Sequence, residues 1–152
     1  MPRAGPSLVD ADDGVNYPVQ QVQRERLPIN KIRLEFLYAL EANNVVVLVG
    51  STGCGKSTQL PQFLDQAGWC RDGHSVCIAL PRRVAAVTIS TRVAKEMRCL
   101  LGADVGYQIR FDNKTSEDTR LRFVTDALLL REMMRDPLLT RYSVVVMDDA
   151  HE

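Results

Sequence analysis

One short segment restricts the folds open to this chain more than any other: a glycine-rich turn between an apolar run and a helical pattern. Residues 50–57 read Gly-Ser-Thr-Gly-Cys-Gly-Lys-Ser and fit the pattern G-x-x-x-x-G-K-[ST]. Residues 45–49 before it are all apolar and mostly β-branched, which predicts a short strand buried on both faces of a parallel sheet. A helix is expected after the turn, at residues 56–66. This order predicts an α/β fold.

The turn has the chemistry of a polyphosphate site. Glycines let successive main-chain N–H groups curl around one anion, and the following helix points its N-terminus at the same place. Lys56 can reach the β and γ phosphates of ATP, and the Ser57 hydroxyl can bind Mg²⁺. The residues expected to hold the nucleotide are Gly50, Ser51, Thr52, Gly53, Cys54, Gly55, Lys56, Ser57 and Thr58. A chance glycine-rich turn is the plainer alternative.

A pair of carboxylates follows the last predicted strand, at residues 142–147. Asp148 and Asp149 come directly after its apolar end, and ligands of open α/β sheets bind outside the carboxyl ends of strands. One carboxylate, which we assign to Asp148, can hold the metal through water together with Ser57, while its neighbour orients or deprotonates an attacking water. A solvated pair of aspartates in a turn is the alternative interpretation.

The rest of the chain alternates strands and helices. Further strands are predicted at residues 75–80, 105–111 and 121–124, further helices at residues 29–43, 82–101 and 127–134, and a turn at residues 112–114. Such alternation predicts a parallel sheet with helices on both faces. We divide the chain into a disordered tail at residues 1–16, a helical lead-in at residues 17–44 and an α/β domain at residues 45–152.

Composition narrows the class of protein. The chain has 152 residues, 45% of them apolar and 25% charged, with a net charge of zero. We therefore expect one globular domain whose nucleic-acid contacts, if it has any, come from locally placed arginines. No apolar stretch is long enough to cross a membrane. The four cysteines form no C-x-x-C pair, which favours a reducing compartment over a disulfide scaffold or a zinc site.

Five motifs, in order, are similar to those of the DEAH-box RNA helicases. Besides the glycine-rich turn they are residues 81–86 (PRRVAA), 106–111 (GYQIRF), 125–132 (TDALLLRE) and 148–151 (DDAH). Residues 24–28 (RERLP) resemble the segment that precedes the first lobe in that family. The resemblance covers nearly all of the chain after about Val22. It implies a P-loop NTPase with a RecA-like sheet, incomplete after the acidic-box strand, from a nuclear or cytoplasmic ATP-dependent RNA helicase.

The resemblance also implies roles for residues outside the turn. Arg82 and Arg83 match a motif that contacts the RNA backbone, for which guanidinium forks are suited. Thr125 and Asp126 match a second RNA-side motif, although Thr125 can equally be a helix N-cap. Arg92 matches an arginine that stacks on adenine, although on a helix face it can equally be solvated. The implied catalytic group is Lys56, Asp148, Asp149 and His151. Residues 107–111 are expected to be scaffold.

This sequence differs from the family pattern in two ways, and each difference leads to a prediction. Asp149 stands where the family has glutamate, one methylene longer, and a misplacement near 1 Å can cost about a hundredfold in rate. We expect weak or absent hydrolysis with nucleotide binding retained, so a catalytically impaired nucleotide- or RNA-binding module remains the alternative function. The resemblance also implies a further strand after the acidic box, inserted between the strand at residues 45–49 and the strand at residues 142–147. Without that strand we expect a gap in the sheet, with unpaired main-chain groups on both sides. We therefore expect the chain by itself to be unstable or aggregation-prone and to lack helicase activity. A small P-loop kinase is disfavoured by the PRR motif.

Overall fold

The computed structural model describes residues 23–151. A 3₁₀ helix at Pro28–Ile32 is followed by α1 (Arg33–Ala42), α2 (Lys56–Gln66), β1 (Ser75–Leu80), α3 (Arg83–Glu96), β2 (Val105–Ile109), β3 (Asp112–Lys114), β4 (Leu121–Thr125), α4 (Asp126–Arg135) and β5 (Tyr142–Met147). The predicted tail at residues 1–16 and the start of the lead-in lie outside the described residues. Within the described range, no helix is both long and apolar enough to cross a membrane.

The strands form one sheet in the order β3-β2-β4-β1-β5. β1 pairs in parallel with β4 on one side and β5 on the other, and β2 pairs in parallel with β4. Only the short β3 is antiparallel among these five strands. The register places Leu80 opposite Thr125, and Ala79 opposite Met147. Neighbouring strands therefore end together at the carboxyl edge of the sheet, where α/β proteins bind their ligands.

Helices cover both faces of this sheet, as the alternating pattern predicts. One face carries the larger apolar cluster, which includes Val76, Ile78, Phe123 and Val93 of α3. The opposite face carries a smaller cluster in which Cys77, Ala79 and Val124 pack against Leu129 of α4. Successive residues of a strand point to opposite faces, so β1 supplies both clusters and all of its residues are buried.

The end of one helix and one turn differ from the prediction. α3 ends at Glu96 rather than at residue 101, because Arg98 has a positive φ of 55° that cannot continue an α-helix. The turn predicted at residues 112–114 is the strand β3, paired with β2. The chain reverses just before it, where Phe111 has a φ of 66°. A polar three-residue edge strand lacks the apolar alternation by which strands are detected in a sequence.

Residues 45–49 do not form the predicted buried strand. They lie outside every strand of the sheet, and Val45, Val47 and Val49 are 78%, 82% and 89% exposed. Their composition favours a strand, but a strand also needs a neighbour for its main-chain hydrogen bonds. Within residues 23–151, β5 pairs only with β1. The prediction is wrong because β-propensity without a paired neighbour does not make a strand.

Candidate nucleotide and RNA site

The glycine-rich turn owes its shape to its glycines and to the segment before α1. Gly53 and Gly55 have φ values of 82° and 98°, a region that residues with a Cβ rarely adopt. A Cβ on Gly55 would lie 2.9 Å from Leu27 Cδ1 and 3.1 Å from Ile29 Cγ2. The main-chain N–H of Ile29 also donates to the Cys54 carbonyl, at 3.2 Å. The lead-in therefore packs against the turn and supports it.

Lys56 is the first residue of α2, and its side chain folds back onto the turn. Its ammonium donates to the Gly50 carbonyl at 2.5 Å and to the Ser51 carbonyl at 3.2 Å. Cys54 Sγ lies 3.6 Å from the same nitrogen. An ammonium has three donors and a compact charge, so it can exchange these carbonyls for phosphate oxygens without leaving the turn.

Ser57 and Asp148, the two predicted metal ligands, are in direct contact. The Ser57 hydroxyl donates to Asp148 Oδ2 at 2.5 Å, although the residues are 91 positions apart in the sequence. The main-chain N–H of Asp148 donates to the Ala79 carbonyl at 3.0 Å, which extends the β1–β5 ladder and fixes the carboxylate relative to the sheet. The arrangement brings one hydroxyl and one carboxylate together beside the glycine-rich turn.

These donors fit Mg²⁺. Magnesium in nucleotide sites takes one or two protein oxygens and completes its octahedron with phosphates and water. Within residues 23–151 there is no group of three or more His, Cys, Asp or Glu side chains that could hold a metal ion. The donor set therefore suits a metal that arrives with a polyphosphate rather than one held in a cage of protein ligands.

Asp149 and His151 lie in the turn after β5, and both are exposed. Asp149 has a φ of 49°, a left-handed conformation that aspartate tolerates better than most residues. Its main-chain N–H donates to Asp148 Oδ1 at 3.0 Å. This bond helps to orient the Asp148 carboxylate toward Ser57.

The two predicted RNA-side motifs are neighbours at the same edge of the sheet. Leu80 and Thr125 are partners in the β1–β4 register, so Arg82 and Arg83 follow one strand end while Asp126 follows the adjacent one. Both arginines are exposed at the start of α3. The Arg83 guanidinium also donates to the Arg110 carbonyl at 3.2 Å. Segments about 40 residues apart in the sequence thus form one polar strip.

Thr125 and Asp126 have features that a simple helix cap does not explain. Thr125 occupies the N-cap position of α4, but its side chain makes no capping hydrogen bond there. Asp126 Oδ1 is buried and has no hydrogen-bond partner among the described residues. Burial raises the pKa of the Asp126 carboxyl, because removing water disfavours its charged form. A buried acceptor without a partner at the carboxyl edge of the sheet is a candidate contact for a hydroxyl or amine donor.

Arg92 lies on α3, beside a cavity of about 400 Å³ that is lined by Gln23, Thr88, Thr91, Arg92, Lys95 and Glu96. Its Nε is 3.2 Å from Glu96 Oε1. Glu96 is not among the predicted site residues, although the spacing of four residues between opposite charges on a helix indicates such a pair. Within residues 107–111, which we expected to be scaffold, Tyr107 is buried and Phe111 is 91% exposed.

A parallel sheet with a glycine-rich turn and an acidic pair brought together beside its carboxyl edge defines the class of P-loop α/β proteins. No family model matches the chain. Curated relatives do match. "Probable ATP-dependent RNA helicase DHX35 homolog" of Caenorhabditis elegans is 56% identical over 132 residues, which is 87% of this chain and 18% of the relative. "Probable ATP-dependent RNA helicase DHX35" of Homo sapiens is 56% identical over 131 residues, 86% of this chain and 19% of the relative.

A plant relative extends the comparison. "Pre-mRNA-splicing factor ATP-dependent RNA helicase DEAH10" of Arabidopsis thaliana is 51% identical over 129 residues, 85% of this chain and 18% of the relative. The chain thus spans about a fifth of the length of the curated relatives that it matches. Over most of its length the chain matches a fragment of DEAH-box ATP-dependent RNA helicases, and the relatives so named are enzymes. These helicase relatives imply the expected RecA-like P-loop fold.

Proposed function

We propose that the chain binds Mg-ATP at the glycine-rich turn. Main-chain amides of residues 50–58 surround the phosphates, Lys56 neutralises their β and γ oxygens, and Ser57 and Asp148 hold the metal. The observation that carries this proposal is the 2.5 Å contact between the Ser57 hydroxyl and the Asp148 carboxylate. Two predicted ligands of one metal ion, from distant parts of the sequence, lie within reach of one ion.

RNA contacts belong, in this proposal, to the strip formed by Arg82, Arg83, Thr125 and Asp126. The arginines bind backbone phosphates, and the chain's zero net charge means that such local placement must supply the attraction. The strip follows β1 and β4, whereas Asp148 follows β5 on the other side of β1. Nucleotide and RNA therefore bind on opposite flanks of one central strand.

Hydrolysis and its coupling to movement along RNA are proposed for a longer protein of which this chain is a part. The relatives named as ATP-dependent RNA helicases are about five times as long as the matched segment. In that setting Asp149 and His151 act next to the metal, at the attacking water. We place the protein in the nucleus or cytoplasm, in line with the splicing factor named among its relatives.

The alternative is a nucleotide- or RNA-binding module with impaired catalysis, and Asp149 is the observation that favours it. Its side chain is one methylene shorter than the glutamate of the family, and it is exposed. RNA-stimulated ATP turnover by the longest natural form discriminates the two functions. Turnover at a rate typical of helicases excludes the impaired module.

The test of nucleotide binding is Lys56→Ala, measured by calorimetry with Mg-ATP. We expect affinity to fall about tenfold or more, because one charge-assisted contact to phosphate is lost. Lys114→Ala is the matched control, since Lys114 is an exposed lysine of β3, and it should bind as the parent does. Equal Mg-ATP affinity of Lys56→Ala and the parent contradicts the proposed function.

A further inference from the structure

A buried carboxylate at the end of α3 gathers donors from three parts of the chain. Glu96 has a side chain that is only 5% exposed. Its Oε2 lies 3.2 Å from Arg24 Nε and accepts hydrogen bonds from the Nε2 groups of Gln59 and Gln62, at 2.9 and 2.7 Å. Its Oε1 accepts from Arg92 Nε at 3.2 Å. Such a charge is tolerated in a buried place because it is paired and fully hydrogen-bonded.

Arg24 fixes the orientation of the same two amides from their other ends. Its Nε donates to Gln59 Oε1 at 3.3 Å and its Nη2 donates to Gln62 Oε1 at 2.5 Å. The Glu96 carboxylate thus accepts hydrogen bonds from the two amide nitrogens, and the Arg24 guanidinium donates to the two amide oxygens. Each glutamine has one arrangement that satisfies both partners, so the cluster of Glu96, Arg24, Gln59 and Gln62 is rigid.

The cluster connects two regions with separate roles in nucleotide binding. Gln59 and Gln62 lie in the first two turns of α2, the helix that begins with Lys56, and both are buried. Arg92 lies on α3, with its side chain 66% exposed beside the cavity of about 400 Å³. One carboxylate therefore holds both the helix that follows the phosphate-binding turn and an exposed guanidinium.

The bond from Glu96 sets the orientation of Arg92 without covering it. N–H donors of a guanidinium lie in its plane, so a bond at Nε leaves the flat faces open. A flat guanidinium can stack on a planar ring. A free arginine side chain loses rotamer entropy when it stacks on a ring. A hydrogen bond that already restricts the side chain before binding reduces this entropic cost of stacking.

We propose that Glu96 is a positioning residue that holds Arg92 for stacking on a nucleobase, at a fixed distance from the phosphate-binding turn. The assignment rests on the proposed nucleotide binding. Through Gln59 and Gln62, the base-side contact and the phosphate-side helix keep one relative position. Glu96 contacts neither ligand itself, so its effect falls on the share of affinity that comes from the base.

The test compares a ligand with a base and a ligand without one. Mg-ATP and Mg-tripolyphosphate are titrated into the parent chain, Glu96→Gln and Arg92→Ala. Glutamine keeps the shape of glutamate but loses its charge, which weakens the bond to Arg92. We expect Glu96→Gln to bind ATP about fivefold more weakly and tripolyphosphate within about twofold of the parent. Arg92→Ala should show the same selective loss, and the double variant should lose no more than Arg92→Ala.

A control and a second readout separate this role from a structural one. Glu132→Gln removes another arginine-paired glutamate, which holds Arg141 and Tyr142, and both ligands should bind as to the parent. Equal losses for ATP and tripolyphosphate in Glu96→Gln, or no loss for either, overturn the assignment. If the parent binds neither ligand, the proposed function fails instead. In that case the hydrogen-exchange rate of the Arg92 Nε–H, followed by ¹⁵N NMR, tests the assignment of Glu96. We expect faster exchange in Glu96→Gln than in the parent, and an equal or slower rate overturns the assignment.

Discussion

Two apolar segments of similar length have opposite environments in this molecule. β1 has the sequence SVCIAL, is buried at all six residues, and pairs with β4 and β5. Residues 45–49 have the sequence VVVLV, more strongly β-branched, yet lie outside the sheet with three valines exposed. The segment with the stronger intrinsic preference for a strand is the one that does not form it.

The difference shows that neighbours, more than residue type, decide where a strand forms. Main-chain N–H and C=O groups of β1 find partners on both sides, and its side chains supply two apolar clusters. The run at residues 45–49 has the same needs, but no strand of residues 23–151 pairs with it. β-propensity measures how well a residue fits a paired, half-buried surface, and here that surface is missing.

The largest difference that we expect between β1 and residues 45–49 is in the reactivity of a thiol placed in each segment. Cys77 lies in β1, and burial raises its pKa to about 12, so roughly 10⁻⁴ of it is thiolate at pH 8. The thiol of a Val47→Cys variant lies in exposed chain, where a pKa near 8.5 makes about a quarter of it thiolate. We expect the variant thiol to react with iodoacetamide more than about a thousandfold faster.

Peptide mapping by mass spectrometry distinguishes these two sites from the other cysteines. The rate at Cys77 should rise with pH across the range below its pKa, because only the thiolate reacts. Comparable rates at the two sites at pH 8 would show that β1 and residues 45–49 do not differ in burial.

A smaller contrast is expected in stability, with the same substitution made in both segments. Val76→Ala removes two methyl groups from fully buried β1 and should lower the free energy of unfolding by about 2–3 kcal/mol. Val47→Ala, in exposed chain, should change it by less than about 0.5 kcal/mol. Urea unfolding followed by fluorescence of Trp69 gives both values. Equal losses would mean that residues 45–49 are packed in solution.

The smallest effect on stability is expected for Val47→Lys, which tests what the exposed run does to the chain's solubility. An uncharged β-branched run in exposed chain can pair with another copy, and a single charge discourages such pairing. We expect the variant to keep the unfolding midpoint of the parent and to sediment as smaller species at high concentration. Lys31→Ala, which changes one charge in the 3₁₀ helix, should not alter self-association. Unchanged sedimentation of Val47→Lys excludes the run as the contact.

The sequence predicted best those elements whose signals are local. The helix at Lys56–Gln66 and the strands Ser75–Leu80 and Tyr142–Met147 have the predicted bounds, because apolar runs between turn residues delimit them. The pairing of Ser57 with Asp148 was predictable as well, since the chemistry of Mg²⁺ requires their oxygens together. Residues 45–49 were not, because a strand's partner is a tertiary property.

The cluster around Glu96 is a second feature that could not be predicted from the sequence. Arg24, Gln59, Gln62 and Glu96 come from three segments, and each alone looks like a solvated polar residue. Hydrophobic periodicity carries no information on buried polar networks, because it counts them as exposed positions. The expectations of low stability for the isolated chain and of weak hydrolysis with Asp149 remain predictions.

The double pairing of β1 has a mechanical consequence. Leu80 is held opposite Thr125 and Ala79 opposite Met147, so successive residues of one strand fix its two neighbours at the carboxyl edge of the sheet. Sliding one flank past the other would break a ladder of parallel hydrogen bonds in a single step. The sheet is therefore stiff at this edge, and a relative movement of the segments that follow the two strands has to come from bending of the connections beyond the strand ends.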